Sequence, residues 1–259
     1  MMDRKILTEE KIKIYAKQLR LPMFTHYEEV VRQMKPNADF GELLSFLMQK
    51  ELEQGQENQN RRRLKQENFP FTKTLEELDM SRYQGHITDL FLQKLASCQY
   101  IEEKKNIIMI GNPGRGKTHM AIGLGLKACV AGMNVLFKNA ASLSTELEEA
   151  KDQYVLGKLE KKIQKADLLI IDEMGYVSFN RFQSELLFKV IAERSERKST
   201  IVTTNLPFSE WVDLFENKVL VSAMVDRLTF RSHVLDMNGD SYRLSQTIHE
   251  KGGDGKLSS

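Results

Sequence analysis

The spacing of hydrophobic residues changes along the chain and divides it into parts. Up to residue 66, apolar residues recur three and four positions apart, which predicts amphipathic helices. Beyond residue 80, short continuous apolar runs alternate with helical patterns, which is typical of a parallel sheet flanked by helices. We therefore expect a small helical domain at 1–66, a connector at 67–79, an α/β domain at 80–248 and a disordered, polar tail at 249–259.

The N-terminal part is expected to fold as three helices. Thr8 is a candidate N-cap for the first helix, Pro22 ends or separates that helix, and Pro36 closes the second. Asp39 is a candidate cap for the third helix, which we expect to continue into a very polar run at 49–66. Three short helices of this kind are typical of a DNA-binding or partner-binding module.

Short strands separated by helices are expected in the α/β part. The apolar or β-branched runs that predict strands are 106–110, 134–137, 168–171, 199–204 and 233–236. The helical patterns lie at 87–98, 118–132, 140–149, 154–165, 183–197, 208–215 and 219–228. The pair Asn238-Gly239 stands between 233–236 and another alternating stretch at 241–244, which predicts a hairpin there.

The strongest chemical signal is a phosphate-binding loop. Residues 111–118 match the pattern G-x-x-x-x-G-K-[ST] at every fixed position, between a predicted strand and a predicted helix. Glycines let the backbone approach phosphate oxygens, and the helix N-terminus adds partial positive charge. We expect Lys117 to contact the β- and γ-phosphates of ATP and Thr118 to coordinate Mg²⁺. The residues expected to bind nucleotide are Gly111, Asn112, Pro113, Gly114, Arg115, Gly116, Lys117 and Thr118.

A second signal follows the buried strand predicted at 168–171. Asp172 and Glu173 stand at the C-terminal end of that strand, where ligands bind in open α/β sheets. We expect Asp172 to hold Mg²⁺ together with Thr118. Glu173 is expected to orient and activate the water that attacks the nucleotide.

Two further polar residues each allow two interpretations. Asn205 ends the strand at 199–204 and is either a polar group near the γ-phosphate or a turn-forming residue before a proline. Arg227 lies in the helix at 219–228 and is either a solvated helix residue or an arginine that reaches a nucleotide on a neighbouring subunit. The residues alone leave both choices open.

A basic cluster closes the polar run of the N-terminal part. It consists of Arg61, Arg62, Arg63 and Lys65, and such clusters neutralise nucleic-acid phosphates. A solvated helix face is the alternative, because the run also contains several glutamates. We treat the four residues as candidate DNA contacts on charge density alone.

Composition is typical of a soluble globular protein, with 41% hydrophobic and 29% charged residues among 259 and a net charge of +2. The two cysteines, Cys98 and Cys129, have no metal-type spacing, which favours a reducing compartment. The first residues lack the apolar core of a signal peptide, and no run reaches the length of a membrane span. A cytoplasmic protein without membrane contact is therefore expected.

Together these motifs resemble those of AAA+ ATPases, with Walker A at 111–118, Walker B at 168–173 and a sensor-1 strand at 201–205. The runs that look like the DnaC/DnaA/IstB clade are 168–176, 202–205, 225–228 and 232–235. The resemblance implies that Asn205 is sensor 1 and that Arg227 is the arginine finger. Full AAA+ proteins often carry a sensor-2 arginine in a C-terminal lid, for which Arg231 and Arg243 are weak substitutes in this short chain end.

The N-terminal part extends the resemblance to IstB, the helper ATPase of IstA/IstB-type insertion sequences. The stretches that carry it are 19–22, 61–65, 68–71 and 74–76. The resemblance implies a homo-oligomer with ATP and Mg²⁺ bound between subunits. Such an assembly binds and remodels double-stranded target DNA without strong sequence preference and recruits or stimulates the transposase of the same element.

Two rival functions stay open at this point. A replicative helicase loader of the DnaC type shares the clade and differs in its substrate, because a loader grips single strands. An ATP-gated scaffold that coats DNA with slow turnover belongs to another class, and a complete catalytic carboxylate at Glu173 argues against a purely static role. A nucleotide-metabolising kinase has no use for the sensor-like strand or the basic helices.

Overall fold

The computed structural model describes residues 2–32, 39–66, 69–70, 73–80, 83, 87–215 and 217–238, without the side chains of 2–9, 30–32 and 56–66. It divides into two compact units, residues 1–63 and 64–259. The tail predicted at 249–259 lies outside the described residues.

The N-terminal unit is helical, as expected, but its described residues form four helices where three were predicted. Its helices are α1 (Met2–Leu19), α2 (Pro22–Thr25), α3 (Tyr27–Arg32) and α4 (Phe40–Gln66), the last of which crosses the boundary between the units. The prediction that Thr8 is an N-cap is wrong, because the polar residues before it continue the helix back to Met2. Pro22 occupies the first position of α2, where a missing N–H is tolerated.

The beginning of α4 confirms the predicted cap. The Glu42 amide donates to Asp39 Oδ1 at 2.8 Å, and the Asp39 amide donates to Glu42 Oε2 at 3.2 Å, which makes a reciprocal capping box. The helix then continues through the polar run because that run is rich in Glu, Gln, Lys and Arg, which favour helix, and contains no proline. The Met23 amide of α2 donates to Glu51 Oε2 of α4 at 2.8 Å and ties these two helices together.

The second unit is built on a five-stranded parallel sheet, which confirms the predicted fold class. Its strands are β1 (Asn106–Ile110), β2 (Val135–Asn139), β3 (Leu168–Asp172), β4 (Ser199–Thr204) and β5 (Ser232–Asp236), in the order β2-β3-β4-β1-β5. The central strands β3 and β4 are buried at every position, as their continuous apolar and β-branched runs predict.

Helices cover both faces of this sheet. They are α5 (Asp89–Ala96), α6 (Gln99–Glu102), α7 (Lys117–Val130), α8 (Ala140–Asp152), α9 (Leu156–Lys165), α10 (Arg181–Arg194), α11 (Trp211–Phe215) and α12 (Lys218–Thr229). Alternate strand residues feed two cores: Ile107 and Met109 pack towards α5 and α7, whereas Ile108 packs towards α8, α10 and α12. Each βα turn is thereby delivered to the carboxyl edge of the sheet.

The last strand differs in part from the sequence prediction. β5 pairs in parallel with β1, with Ile108 opposite Val234. Among the described residues, the partner of β5 is therefore β1 and not the second strand of a hairpin. The other arm of the predicted hairpin, 241–244, lies outside the described residues and stays a prediction.

Candidate functional site

The phosphate loop connects β1 to α7 and has the backbone that such a loop requires. Gly114 and Gly116 have φ angles of 78° and 79°, a left-handed conformation that favours glycine. A Cβ atom on Gly116 would lie 2.5 Å from Tyr83 Oη. The Tyr83 hydroxyl itself donates to the Arg115 carbonyl at 3.0 Å, so this tyrosine lies directly against the loop.

Lys117 is held inside the loop. Its ammonium donates to the carbonyl oxygens of Gly111 at 2.5 Å and Asn112 at 2.9 Å, and the residue is only 8% exposed. A buried ammonium that is bonded to neutral carbonyls binds phosphate by exchanging these partners for charged oxygens, which make stronger hydrogen bonds. This placement fits the predicted contact with a nucleotide phosphate.

Arg115 was predicted to bind nucleotide, but its side chain has another partner. Its Nε donates to the Met237 carbonyl at 3.1 Å and its Nη2 to the Asn238 carbonyl at 3.3 Å, and its guanidinium lies 5.8 Å from the centre of the Tyr83 ring. A Cβ on Gly111 would lie 2.5 Å from the Met237 carbonyl carbon, so the segment after β5 packs closely on the loop. In the structure Arg115 therefore fastens the loop to this segment, and its backbone remains available to a phosphate.

Asp172 at the end of β3 meets Thr118 directly. The Thr118 hydroxyl donates to Asp172 Oδ1 at 3.0 Å. Burial raises the pKa of the Asp172 carboxyl above its ordinary value, and the Glu173 carboxylate adds to the rise, while the hydroxyls of Thr203 and Thr118 and the Lys117 ammonium oppose it. A hydroxyl and a carboxylate are hard oxygen ligands, so these two residues fit Mg²⁺ beside a phosphate loop.

Glu173 is exposed and its carboxylate is bonded to β2. The Asn139 side chain donates to Glu173 Oε2 at 2.7 Å, while Asn139 Oδ1 accepts from the Ala141 amide and caps α8. Glu173 has a φ angle of 61°, and its amide donates to Thr203 Oγ1 at 2.9 Å. Sequence reasoning missed Asn139 and Thr203, because their relevance depends on β2 and β4 being the neighbours of β3.

Asn205 follows β4 at the same edge of the sheet. Its Oδ1 is buried and makes no hydrogen bond with any residue that the structure describes. A Cβ on Gly175 would lie 2.4 Å from this oxygen, so the turn after Glu173 packs against it. A buried acceptor without a donor costs about 1–3 kcal/mol, which a ligand that supplies the donor would recover.

Arg227 lies at the opposite edge. Its Nη1 donates to the Ala223 carbonyl of α12 at 3.0 Å, and its guanidinium lies 5.1 Å from the centre of the Phe188 ring. Its backbone carbonyl faces the side chain of Asn106, the first residue of β1, and the Arg231 carbonyl accepts from the Asn106 amide. Five strand residues, about 16 Å, separate this position from the phosphate loop.

This geometry separates Arg227 and Arg231 from the nucleotide loop of their own chain, while Arg243 lies outside the described residues. A surface depression of about 560 Å³ runs along α12. It is lined by Lys218, Val219, Ser222, Ala223, Asp226 and Arg227. Arg227 is thus reachable from outside the chain.

The predicted DNA contacts Arg61, Arg62, Arg63 and Lys65 lie in α4, but their side chains are outside the described part of the structure. A different basic surface, which sequence reasoning missed, is formed by α9. Its buried face carries Ile163, and its exposed lysines are Lys158, Lys161, Lys162 and Lys165. Their spacing of three and four residues was the available signal.

Comparison with known proteins agrees with this geometry. A family model described as IstB-like ATP binding protein matches residues 14–250. A protein of insertion sequence IS21 from Pseudomonas aeruginosa, described as ATP-binding, is 36% identical over 222 residues, which are 85% of this chain and 83% of that protein. A corresponding protein of IS5376 from Geobacillus stearothermophilus is 33% identical over 243 residues, which are 92% and 95% of the two chains.

Among solved structures, AMPPCP-bound DnaA from Aquifex aeolicus superimposes with a TM-score of 0.52 at 19% identity, covering 72% of this chain and 56% of that one. At this identity the likeness concerns the fold alone. The predicted AAA+ fold and the resemblance to the IstB family are confirmed. No helix among the described residues is long and apolar enough to cross a membrane.

Proposed function

The chain belongs to the family of IstB-like ATP-binding proteins, and on that premise we propose a Mg²⁺-dependent ATPase that acts as an oligomer on double-stranded DNA. In this proposal the assembly remodels target DNA and recruits or stimulates the transposase of an insertion sequence. The relatives support the transposase as partner, because they are proteins of insertion sequences.

The observation that carries the hydrolysis is the bond between Thr118 and Asp172, which brings two magnesium ligands together beside the glycine loop. Thr118 and Asp172 would hold Mg²⁺, which would neutralise charge that develops on the transferred phosphate. Two side chains of the chain itself take part in the reaction. Lys117 contacts phosphate oxygens, and Glu173 orients the attacking water and accepts its proton. Asn205 offers a side-chain amide at the same edge of the sheet.

The position of Arg227 supports a nucleotide site shared between subunits. In its own chain this arginine lies at the amino edge of the sheet, whereas the phosphate loop lies at the carboxyl edge. An arginine on the open surface of α12 can therefore serve a nucleotide only in a neighbouring copy. This reasoning favours the arginine-finger role over a solvated helix residue.

The charge of α9 supports contact with DNA. Between residues 151 and 165 the chain has five lysines against one aspartate and one glutamate. Four of these lysines are exposed on one helix, and lysines that neutralise phosphates release counterions and so bind nucleic acid. Contact by the cluster at 61–65 stays a prediction.

One observation favours a second candidate, the ATP-gated scaffold with slow turnover. The Glu173 carboxylate accepts a hydrogen bond from the Asn139 side chain, and a base that already accepts such a bond is less free to accept a proton from water. In this second candidate function, the ATP-bound assembly is the active state, and hydrolysis mainly ends that state.

A mixing experiment tests the shared site. Lys117→Ala is expected to abolish ATP binding, and Arg227→Ala to abolish hydrolysis while ATP binding stays within about twofold. A 1:1 mixture of the two inactive variants should regain hydrolysis, since some interfaces then pair an intact loop with an intact arginine. Loss of ATP binding in Arg227→Ala, together with no recovery in the mixture, would place Arg227 in its own chain's site and contradict the proposal.

A binding assay across a salt series tests the DNA part. ATP is expected to strengthen binding of wild type to duplex over single-stranded DNA, and salt to weaken it. Serine substitution of Lys158, Lys161, Lys162 and Lys165 should reduce the slope of log K against log salt by about 3–4. The control exchanges the exposed Lys94 and Lys104 for serine and should leave the slope nearly unchanged. Preference for single strands would favour the helicase loader instead.

A further inference from the structure

One buried threonine of β4 contacts three consecutive residues at the end of β3. The Thr203 hydroxyl donates to Asp172 Oδ1 at 2.5 Å and accepts from the Glu173 amide at 2.9 Å. Its backbone carbonyl accepts from the Met174 amide at 2.8 Å. Thr203 is 1% exposed, so these bonds are shielded from water.

The first of these bonds orients the Asp172 carboxylate. Thr203 and Thr118 both donate to the same oxygen, Oδ1, so neither hydroxyl engages Oδ2. Thr118 is itself an expected magnesium ligand, and its hydroxyl oxygen must be available to the metal. When Mg²⁺ is bound, the Thr203 hydroxyl is therefore the one that still fixes the orientation of the Asp172 carboxylate.

The second bond fixes the backbone of Glu173. That residue has a φ angle of 61°, a left-handed conformation that is unfavourable for a residue with a side chain. A buried hydroxyl that accepts from its amide stabilises this turn, which sends the Asp172 and Glu173 side chains in different directions. One hydroxyl group thus determines the relative placement of the metal ligand and the base.

We infer that Thr203 is a positioning residue for hydrolysis, which orients Asp172 for Mg²⁺ and Glu173 for water without touching the nucleotide. The inference rests on the proposed ATPase function. A positioning role requires a hydroxyl group at residue 203, whereas a merely structural role in the strand requires only a β-branched side chain of the same volume.

Three substitutions test the requirement. Thr203→Val keeps the shape and removes both bonds, Thr203→Ser keeps the hydroxyl, and Thr203→Cys keeps the size with a weak donor. The matched control is Thr200→Val, on the same strand, where the buried hydroxyl accepts from Arg194 Nε at 3.3 Å and lies at the opposite edge of the sheet.

For Thr203→Val we expect kcat to fall about 10- to 100-fold and the Mg²⁺ concentration for half-maximal activity to rise about tenfold or more, the range typical of residues that support metal ligands. ATP binding in the absence of metal should change by less than about twofold. Thr203→Ser should restore kcat to within about threefold of wild type, and Thr203→Cys should lie between. Thr200→Val should lower the melting temperature and leave kcat and the Mg²⁺ dependence unchanged.

Binding of Mn²⁺ in the presence of ADP, followed by electron paramagnetic resonance, gives a readout that does not need hydrolysis. Weaker Mn²⁺ binding by Thr203→Val than by Thr200→Val, at equal folded fraction, supports the inference, and equal binding overturns it. Should Thr203→Val fail to fold, Thr203→Cys is compared with Thr203→Ser by the same criterion. Absence of hydrolysis in wild type would count against the proposed function, whereas wild-type hydrolysis with normal kcat and Mn²⁺ binding in the valine variant would count against Thr203 alone.

Discussion

The two edges of the parallel sheet both bury polar side chains, but they satisfy them differently. At the amino edge, the Arg194 guanidinium is 1% exposed and donates to the carbonyls of Ile163, Ala166 and Ser199 and to the Thr200 hydroxyl. Asn106 nearby donates to the Leu228 carbonyl and accepts from the Thr200 amide. Every one of these partners is a fixed group of the fold.

At the carboxyl edge, the polar groups around the phosphate loop are held less completely than Arg194 and Asn106. Asn205 Oδ1 has no donor among the described residues, and the Lys117 ammonium is bonded to the Gly111 and Asn112 carbonyls of its own loop. Burial raises the pKa of the Asp172 carboxyl, whereas at the other edge burial lowers the pKa of Arg194 to about 10, which leaves that guanidinium charged at neutral pH.

This difference separates structural from functional burial. A buried polar group whose partners are all fixed groups of the fold stabilises the fold and has nothing left to offer a ligand. A buried polar group with an unsatisfied or exchangeable bond destabilises the empty protein and gains its partner when a ligand binds. Substitutions at the two edges should therefore have opposite consequences.

The largest expected effect is at the carboxyl edge. Glu173→Gln removes the proton acceptor and should lower the rate of ATP hydrolysis about 10²- to 10⁴-fold, the usual contribution of a general base. ATP binding and the melting temperature should be nearly unchanged, because the side chain is exposed. The matched control is Glu196→Gln, since Glu196 has the same φ angle of 61° but lies beyond α10. A large drop in melting temperature for Glu173→Gln would contradict the comparison.

The reverse result is expected for Arg194→Met. The substitution keeps much of the apolar stem but leaves three buried carbonyls and the Thr200 hydroxyl without their donor, which should lower the free energy of unfolding by about 3–5 kcal/mol. Urea unfolding measures the loss, and hydrolysis per folded molecule at low temperature should stay normal.

The control for this change lies in the same helix. Arg181 begins α10, its side chain is 85% exposed, and it pairs with Glu185 at 3.2 Å. Arg181→Met should leave the unfolding free energy nearly unchanged, since exposed ion pairs contribute little. Equal losses for both arginines would mean that burial of Arg194 is not what stabilises the amino edge.

The sequence was most informative where chemistry demands fixed spacing. The glycines of the phosphate loop lie within a few residues of Lys117. The acidic pair likewise lies directly after its apolar strand. Each motif could therefore be recognised from the local sequence alone. The fold class followed from alternating runs for the same reason. The N-cap at Thr8 was wrong because no residue before it stops a helix, and several there favour one.

Contacts across strands could not be predicted in the same way. Asn139, Asp172 and Thr203 end or nearly end three strands that are neighbours because β3 lies between β2 and β4 in the sheet. Nothing in the local pattern specifies that order. Arg194 lies in the helix predicted at 183–197, and it is buried because residues around α9 and β4 pack against it and accept its hydrogen bonds.

Asp172→Asn should make the protein without metal or nucleotide more stable, and it should abolish Mg²⁺-dependent hydrolysis. A raised pKa means that the folded state binds the proton more tightly than the unfolded state. Stability should then fall as the pH rises from the ordinary carboxyl pKa of 3.8 towards the raised value, and it should stay lower above that value. An amide does not ionise, so the variant should lack this fall and be more stable than wild type at pH 7.

Thermal unfolding in EDTA from pH 4 to pH 8 measures this effect without metal or nucleotide. The two proteins should have similar melting temperatures at the acid end and diverge as the pH rises. A variant that is less stable than wild type at pH 7 would mean that the ionised carboxylate already has sufficient partners, and Asp172 would then belong with the satisfied groups of the amino edge.

The smallest expected effect concerns the bond between Asn139 and Glu173. Serine is as good an N-cap as asparagine, so Asn139→Ser should keep the cap of α8 while its shorter side chain no longer reaches Glu173 Oε2. A partly exposed hydrogen bond contributes about 1 kcal/mol, so freeing the base should raise basal ATP hydrolysis by up to about fivefold. Asn217→Ser is the matched control, because the Asn217 side chain caps α12 and, within the described part of the chain, makes no bond to Glu173. A fall in hydrolysis would instead mean that Asn139 holds Glu173 in its working orientation, and the carboxyl edge would then be more completely preorganised than its unsatisfied groups indicate.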